Sequence, residues 1–366
     1  LNSAVFMSPL VANRHSQSTG ILRVFSRTFS SRTLSDALVP QNKSVYDGAV
    51  IYWTSTEEPF FEFTGSLKKP LLVGMTTTKA LEELSIGAIE AYAVEKVTND
   101  AIAESADWVA RKELAERSSY CRQKLLALID SAWSSSESSW RLLNPIFEQL
   151  PKKQGLLKIL SKVCDSIYDK SPSVKNETIA RRILTGQGAR ARRILTEGIL
   201  KNSSKPSFDI QGHGPEKSIY DAIFAATGLH SLSQKTQASD FDFSFPLDRS
   251  WAGVAEKTSE FLLSAKSSRR NLQDLSESLQ SPPIGLKEGL INLLLVVLVY
   301  SNGKTLLLYE HGSLVVELND ATVERLLRNP DHFAVKNLGL ESSKSGNAIE
   351  VIASAIGLAN SGGALT

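Results

Sequence analysis

The sequence predicts a mixed, mainly α fold: a fragment of an α/β unit, a long helix, a helical domain and a winged-helix-like α+β domain. Three observations carry this. Two short apolar runs bounded by Gly and Pro, Gly48 to Trp53 and Pro70 to Met75, precede a helical repeat. Long amphipathic stretches then follow one another, and near the C-terminus helices give way to a β-hairpin pattern. A chain of 366 residues with 42% hydrophobic side chains has room for two or three cored domains. Its net charge of +2 argues against a global attraction to nucleic acid or membrane, so any such binding is local. Cys121 and Cys164 stand alone, without the spacing of a zinc site or disulfide framework.

Residues 1–35 carry Arg14, Arg23, Arg27 and Arg32 and no acidic residue before Asp36. Such a composition fits either the truncated edge of a domain or a targeting segment, and an organelle-targeted protein with a cleaved N-terminus is an alternative reading. Residues 36–78 form a partial α/β unit of two buried strands, leading into a helix with Leu81, Leu84, Ala88, Ala91 and Tyr92 at helical spacing. The long helical segment spans 79–135. From Asp107 to Trp133 its seam is Leu114, Cys121, Leu125, Leu128 and Ala132, and Ser131 to Ser139 marks a boundary.

A helical domain occupies 140–235. Leu156, Leu160, Val163 and Ile167 share one helix face, and a basic segment follows. Between Lys175 and Lys205 eight Lys or Arg face only Glu177 and Glu197, a local excess of +6. Arg181, Arg182, Arg190, Arg192 and Arg193 are the candidate nucleic-acid contacts, because phosphate binding needs clustered cations. The competing reading is a solvated or acid-paired face, which the absence of stacking aromatics favours. Gly186 to Ala191 fits a loose dinucleotide fingerprint. That fingerprint has meaning only between a strand and a helix, and Ile179 and Ile183 ahead of it are spaced as in a helix. His213, His230, His311 and His332 lack partners at ligand spacing, and no catalytic, cofactor-binding or metal residue is assigned.

The last domain spans 245–340, with a further segment beginning at 341–366. Helices at Trp251 to Leu263 and Asn271 to Leu279 precede a third from about Gly285 to Tyr300. This third helix holds the longest apolar run, but Lys287, Glu288 and Asn292 interrupt it, and crossing a membrane takes about 20 apolar residues. Gly303-Lys304-Thr305 after it is not a phosphate loop, because Leu298 stands where such a loop needs Gly and the order is helix, turn, strand. Two strands joined around His311-Gly312 form the hairpin. Asn319 or Asp320 caps the helix that Pro330 ends, and "HFAVK" returns as a third strand. The hairpin offers Lys304 at its base but Glu310 and His311 at its tip, which suits protein contact better than phosphate.

The phrases "SIYDKSPSVKNETIARRIL", "PEKSIYDAIFAATGLH", "SPPIGLKEGLINLLLVVL" and "LLLYEHGSLVVELNDATVERLLRNPDHFAV" resemble the region that follows the nucleotide-binding domain in very large bacterial P-loop ATPases of BREX-type and related anti-phage defence islands. The resemblance covers roughly Asp47 to Val335 and rests on structural phrases, since no P-loop is present. It implies a non-catalytic regulatory and interaction portion of a large cytoplasmic ATPase. ATP and Mg belong to the parent protein and bind upstream; the partners are other subunits of a defence complex, with DNA as a further partner and no membrane. The alternative in a different class is a nucleic-acid-binding module that acts through the basic segment.

Overall fold

A computed structural model describes residues 8–35, 45–62, 69–103, 107–134, 137–144, 146–149, 155–233, 240–244 and 248–339. The fold is mixed and mainly helical, as the sequence predicts. Its contacts divide into two units, Leu1–Ser16 with Arg23–Asp165, and Gln17–Leu22 with Ser166–Thr366.

The first unit opens with β1 (Leu10–Val11), α1 (Asn13–Thr19), β2 (Val24–Ser30), β3 (Leu34–Ser35), β4 (Gly48–Trp53), β5 (Phe61–Glu62) and β6 (Leu71–Met75). Two long helices, α2 (Thr78–Ala103) and α3 (Trp108–Ser134), follow, and then β7 (Ser139–Asn144), β8 (Ile146–Gln149) and α4 (Leu156–Ile167). The main sheet runs β1-β2-β4-β6-β7-β8, with β2, β4 and β6 parallel and the outer strands antiparallel. Each parallel crossover carries a short strand, and these two, β3 and β5, pair parallel with each other outside the main sheet. All six residues of β4 are buried, as expected of a central strand covered on both faces.

Leu34, Ala49, Ile51, Trp53, Leu71 and Val73 form one core. Tyr52 points the other way, edge-on to Trp133 and Trp140 at ring separations of 4.8 and 5.8 Å. Gly74 makes room for this aromatic layer, since an added Cβ would lie 2.6 Å from the Trp140 ring, and its carbonyl accepts the Trp133 indole N–H at 2.9 Å. Two sequence expectations change here. The Ser-rich stretch does not end the unit, because β7 and β8 pair onto the same sheet. Tyr92, expected on the packed seam of α2, is 54% exposed, because it lies about 100° round the helix from Ala91, which is buried.

The second unit contains α5 (Gly186–Asn202), α6 (Pro215–Tyr220) extended by a π-turn at Asp221–Ala225, and the small hairpin β9 (His230–Leu232) and β10 (Phe241–Phe243). Next come α7 (Ala252–Ser264), β11 (Arg270–Asn271), α8 (Leu272–Gln280), α9 (Glu288–Ser301), β12 (Leu306–Glu310), β13 (Ser313–Leu314), α10 (Asp320–Arg328) and β14 (Phe333–Asn337). The antiparallel sheet β11-β14-β12-β13 and the order helix, strand, two helices, hairpin, strand make a winged-helix-like arrangement with α10 set into the wing. α9 is its central post: ten of its residues are buried, from Gly289 to Val299.

Candidate functional site

The basic segment begins with an irregular turn rather than the helix expected from Ile179 and Ile183. Residues 177–183 are turn and bend, Ile179 is buried and Ile183 is 74% exposed. Helix α5 starts only at Gly186. Thr185 caps it, its hydroxyl accepting the Gly188 N–H at 3.2 Å. No strand precedes this turn, so the Gly186 to Ala191 fingerprint lacks the context that would give it meaning. Ala191, Leu195 and Ile199 turn into the core, which leaves Arg190 and Arg193 on the outer face.

The five arginines differ in what surrounds them. Arg181 lies 3.8 Å from Glu177, one turn back, and Arg182 lies 3.7 Å from Glu288 at the start of α9. Arg193 reaches Glu197 at 3.0 Å and Glu324 of α10 at 3.7 Å. Arg192 is half-buried. Burial lowers its pKa, the charges of Glu324 and Glu288 oppose that shift, and its Nε has no hydrogen-bond partner among the described residues. Arg190 is exposed, with no carboxylate within ion-pair distance among the described residues. Lys201 pairs with Asp320 at 2.8 Å. Three carboxylates from distant parts of the sequence, Glu288, Asp320 and Glu324, thus offset half of the segment's excess charge. The structure brings Arg182, Arg192 and Arg193 together around the acids of α9 and α10, and leaves Arg190 apart.

The winged-helix-like part is poorly equipped for phosphate. α9 stands second of the two consecutive helices, the place of the groove-reading helix in helix-turn-helix domains, yet "EGLINLLLVVLVYS" contains no Lys or Arg. Its polar Asn292 is buried and spent on structure, donating from Nδ2 to the Leu327 carbonyl at 2.9 Å. At the wing, Arg325 holds both carboxylate oxygens of Glu310, at 2.6 and 2.9 Å, and this hydrogen bonding lowers the Glu310 pKa. His311 and His332, 21 positions apart in sequence, lie with ring centroids 4.3 Å apart and planes tilted at 41°.

Two polar clusters were not legible in the sequence. His230 is buried at the centre of an aromatic cage, with Phe208, Phe241 and Phe243 within 5.2 Å of its ring. Its Nε2 donates to the Ser203 carbonyl at 2.7 Å, so Nδ1 accepts the Tyr220 hydroxyl at 2.7 Å. Phe208 enters this cage from a left-handed turn in which Ser207, Phe208 and Asp209 all have positive φ. In the first unit, buried Arg23 lies 3.3 Å from Asp47, whose other oxygen accepts the Val24 N–H. Nearby, His15 Nδ1 lies 2.9 Å from Asp165. The partners of His230 are 10 and 27 residues away, and Asp47 is 24 residues from Arg23, with no spacing rule to link them.

Among the described residues, no group of three or more His, Cys, Asp or Glu is placed to hold a metal ion, and no helix is long and apolar enough to cross a membrane. No family model, curated protein or solved structure matches the chain.

Proposed function

We propose that this chain is a regulatory and interaction portion of a large nucleotide-driven ATPase of the phage-defence type, and that its winged-helix-like part works through protein contacts. The observation that carries the second half is α9, which occupies the groove-reading position without a single cation and with most of its surface in the core. The wing supports it, because Arg325 beside its tip is already taken by both oxygens of Glu310. The first half rests on the sequence phrases that resemble such ATPases; ATP and Mg then belong to the parent protein and the partners are subunits of its complex.

Two measurements test the two halves separately. The parent reading frame upstream of Leu1 should encode G-x-x-x-x-G-K-[ST] between a strand and a helix; a frame lacking it removes the ATPase assignment. Anisotropy of a labelled DNA duplex, titrated with the chain at 50 and 200 mM salt, should show weak binding that loses less than about tenfold between the two; a loss of about 10³-fold or more would mean six or more phosphate contacts and a duplex-binding function. The second reading, a nucleic-acid module, is favoured by the exposed Arg190 of the basic segment, which has no carboxylate within ion-pair distance among the described residues.

A further inference from the structure

The outer strand of the wing is a free sheet edge. In the order β11-β14-β12-β13, β13 has a neighbour on one side only. Ser313 pairs with Glu310 and Leu314 with Tyr309, and beyond the strand Val315 N–H donates to the Leu308 carbonyl at 2.9 Å. Successive residues of an antiparallel strand turn their backbone groups to opposite sides. The N–H and C=O of Leu314 therefore face away from β12, and among the described residues no backbone group meets these or those of Val316, two residues past the end of the strand.

Exposed edges are commonly guarded by Lys, Pro or a bulge. Across 313–318 the only charge is Glu317, and the side chains beside the open backbone groups are apolar and exposed, Leu314 at 45% and Val316 at 69%. The same sheet face carries cations. Tyr309, directly opposite Leu314, has the Arg269 guanidinium 3.8 Å from its ring centroid, and Leu307 pairs with Lys336. Arg269 and Lys336 donate only to carbonyls, of Gly312 and Lys266, and neither has a carboxylate in ion-pair distance among the described residues.

We propose that the edge at 313–318 accepts an extended segment of a partner protein as an added β-strand, with apolar residues against Leu314 and Val316 and an acidic residue reaching Arg269. The proposal rests on the protein-contact reading above and names its surface. Unpaired main-chain groups supply affinity in this mode and alternate side chains supply choice. A second copy of the chain is the poorer occupant, since pairing 313–318 with itself brings only Glu317 as an acidic residue and adds a second Arg269, whereas a partner segment can place its acid beside the cation.

The probe is a fluorescein-labelled nonapeptide alternating valine and threonine, with one glutamate near its centre, titrated into the full chain. Val316→Pro removes one unmet backbone donor and leaves the Val315 bond intact; Arg269→Gln removes the cation. The expected result is saturable binding that Val316→Pro weakens at least ~10-fold, the value of one hydrogen bond, and that Arg269→Gln weakens several-fold. Amide exchange on the wild-type chain gives a reading independent of the variant's folding. Val315 should be protected in the free chain, and Leu314 and Val316 should gain protection only with the peptide. Equal affinity in a folded Val316→Pro chain, or Leu314 and Val316 already protected without peptide, would overturn the proposal. So would a concentration-dependent dimer that Val316→Pro abolishes, which would assign the edge to a second copy. The duplex titration separates the two levels: failure of the peptide with no salt-dependent duplex binding sinks the edge alone, whereas strong salt dependence sinks the protein-contact reading beneath it.

Discussion

His230 is held as a neutral ring by its two hydrogen bonds, since Nε2 must donate to the Ser203 carbonyl and Nδ1 must then accept from Tyr220. Burial pushes its pKa below the usual histidine value, ahead of the opposing effects of the Ser203 bond and Asp242. The unfolded ring, with its ordinary pKa near 6.5, binds a proton first as pH falls. Stability from this site is therefore complete above about pH 6.5 and lost below it, until the folded ring also titrates. Urea unfolding at pH 7.5 and 5.5 should show His230→Phe losing about 1–3 kcal/mol at the higher pH, for the orphaned carbonyl and hydroxyl. The deficit should shrink at the lower pH, and a constant deficit would mean that His230 does not titrate across folding. The neighbouring helix gives a second test. Alanine is normally the better helix former by about 1 kcal/mol, but a Cβ on Gly198 would lie 2.7 Å from Phe208 Cβ. Phe208 is fully buried with φ +52 and has no room to yield. Gly198→Ala should therefore cost about 1–3 kcal/mol instead of stabilising, with the same change at open Gly186 as the comparison.

At the scale of elements, α10 shows how a short helix in the wing is held. Asn319 caps it by accepting the Thr322 N–H at 3.0 Å, while Val323, Leu326 and Leu327 bury its inner face. Asn319→Ala should cost about 1 kcal/mol in urea unfolding, and Asn319→Asp should restore most of it; an unchanged midpoint in the alanine variant would show that packing alone holds the helix. This cap was legible because Asn precedes an apolar repeat that Pro330 ends, and the hairpin and β14 were legible for similar reasons of punctuation. β2 was not. Its buried residues are Phe25 and Phe29, four apart, a spacing that serves a helix as well as a strand, and Ser, Arg and Thr fill the gap. The strands within both crossovers, β3 and β5, are two residues long, too short for any periodicity to register. β7 was hidden by the Ser-rich stretch before it: turn composition marks where a chain leaves a helix, and says nothing of its returning to an existing sheet.

At the scale of the whole molecule, the candidate nucleic-acid site shows why local charge counting misleads. The five arginines were identifiable by letter, but besides the local acids Glu177 and Glu197 they meet Glu288 and Glu324, more than 100 residues further along the chain, which only folding brings alongside. A cation already facing a carboxylate releases fewer counterions on meeting phosphate, so both affinity and salt dependence fall. This makes a prediction with a sign opposite to ordinary loss-of-function tests. Glu197→Gln, Glu288→Gln and Glu324→Gln together remove the carboxylates facing Arg182 and Arg193 without adding any cation. Duplex anisotropy should then show tighter binding than the wild-type chain, with a log–log salt slope steeper by up to about 2, near 0.9 for each released contact. Adding Arg190→Ala, Arg192→Ala and Arg193→Ala to the same background should return the slope to the wild-type value or below. If the triple-glutamine variant binds duplex no more tightly than the wild type, at either salt concentration, these acids are not what silences this face.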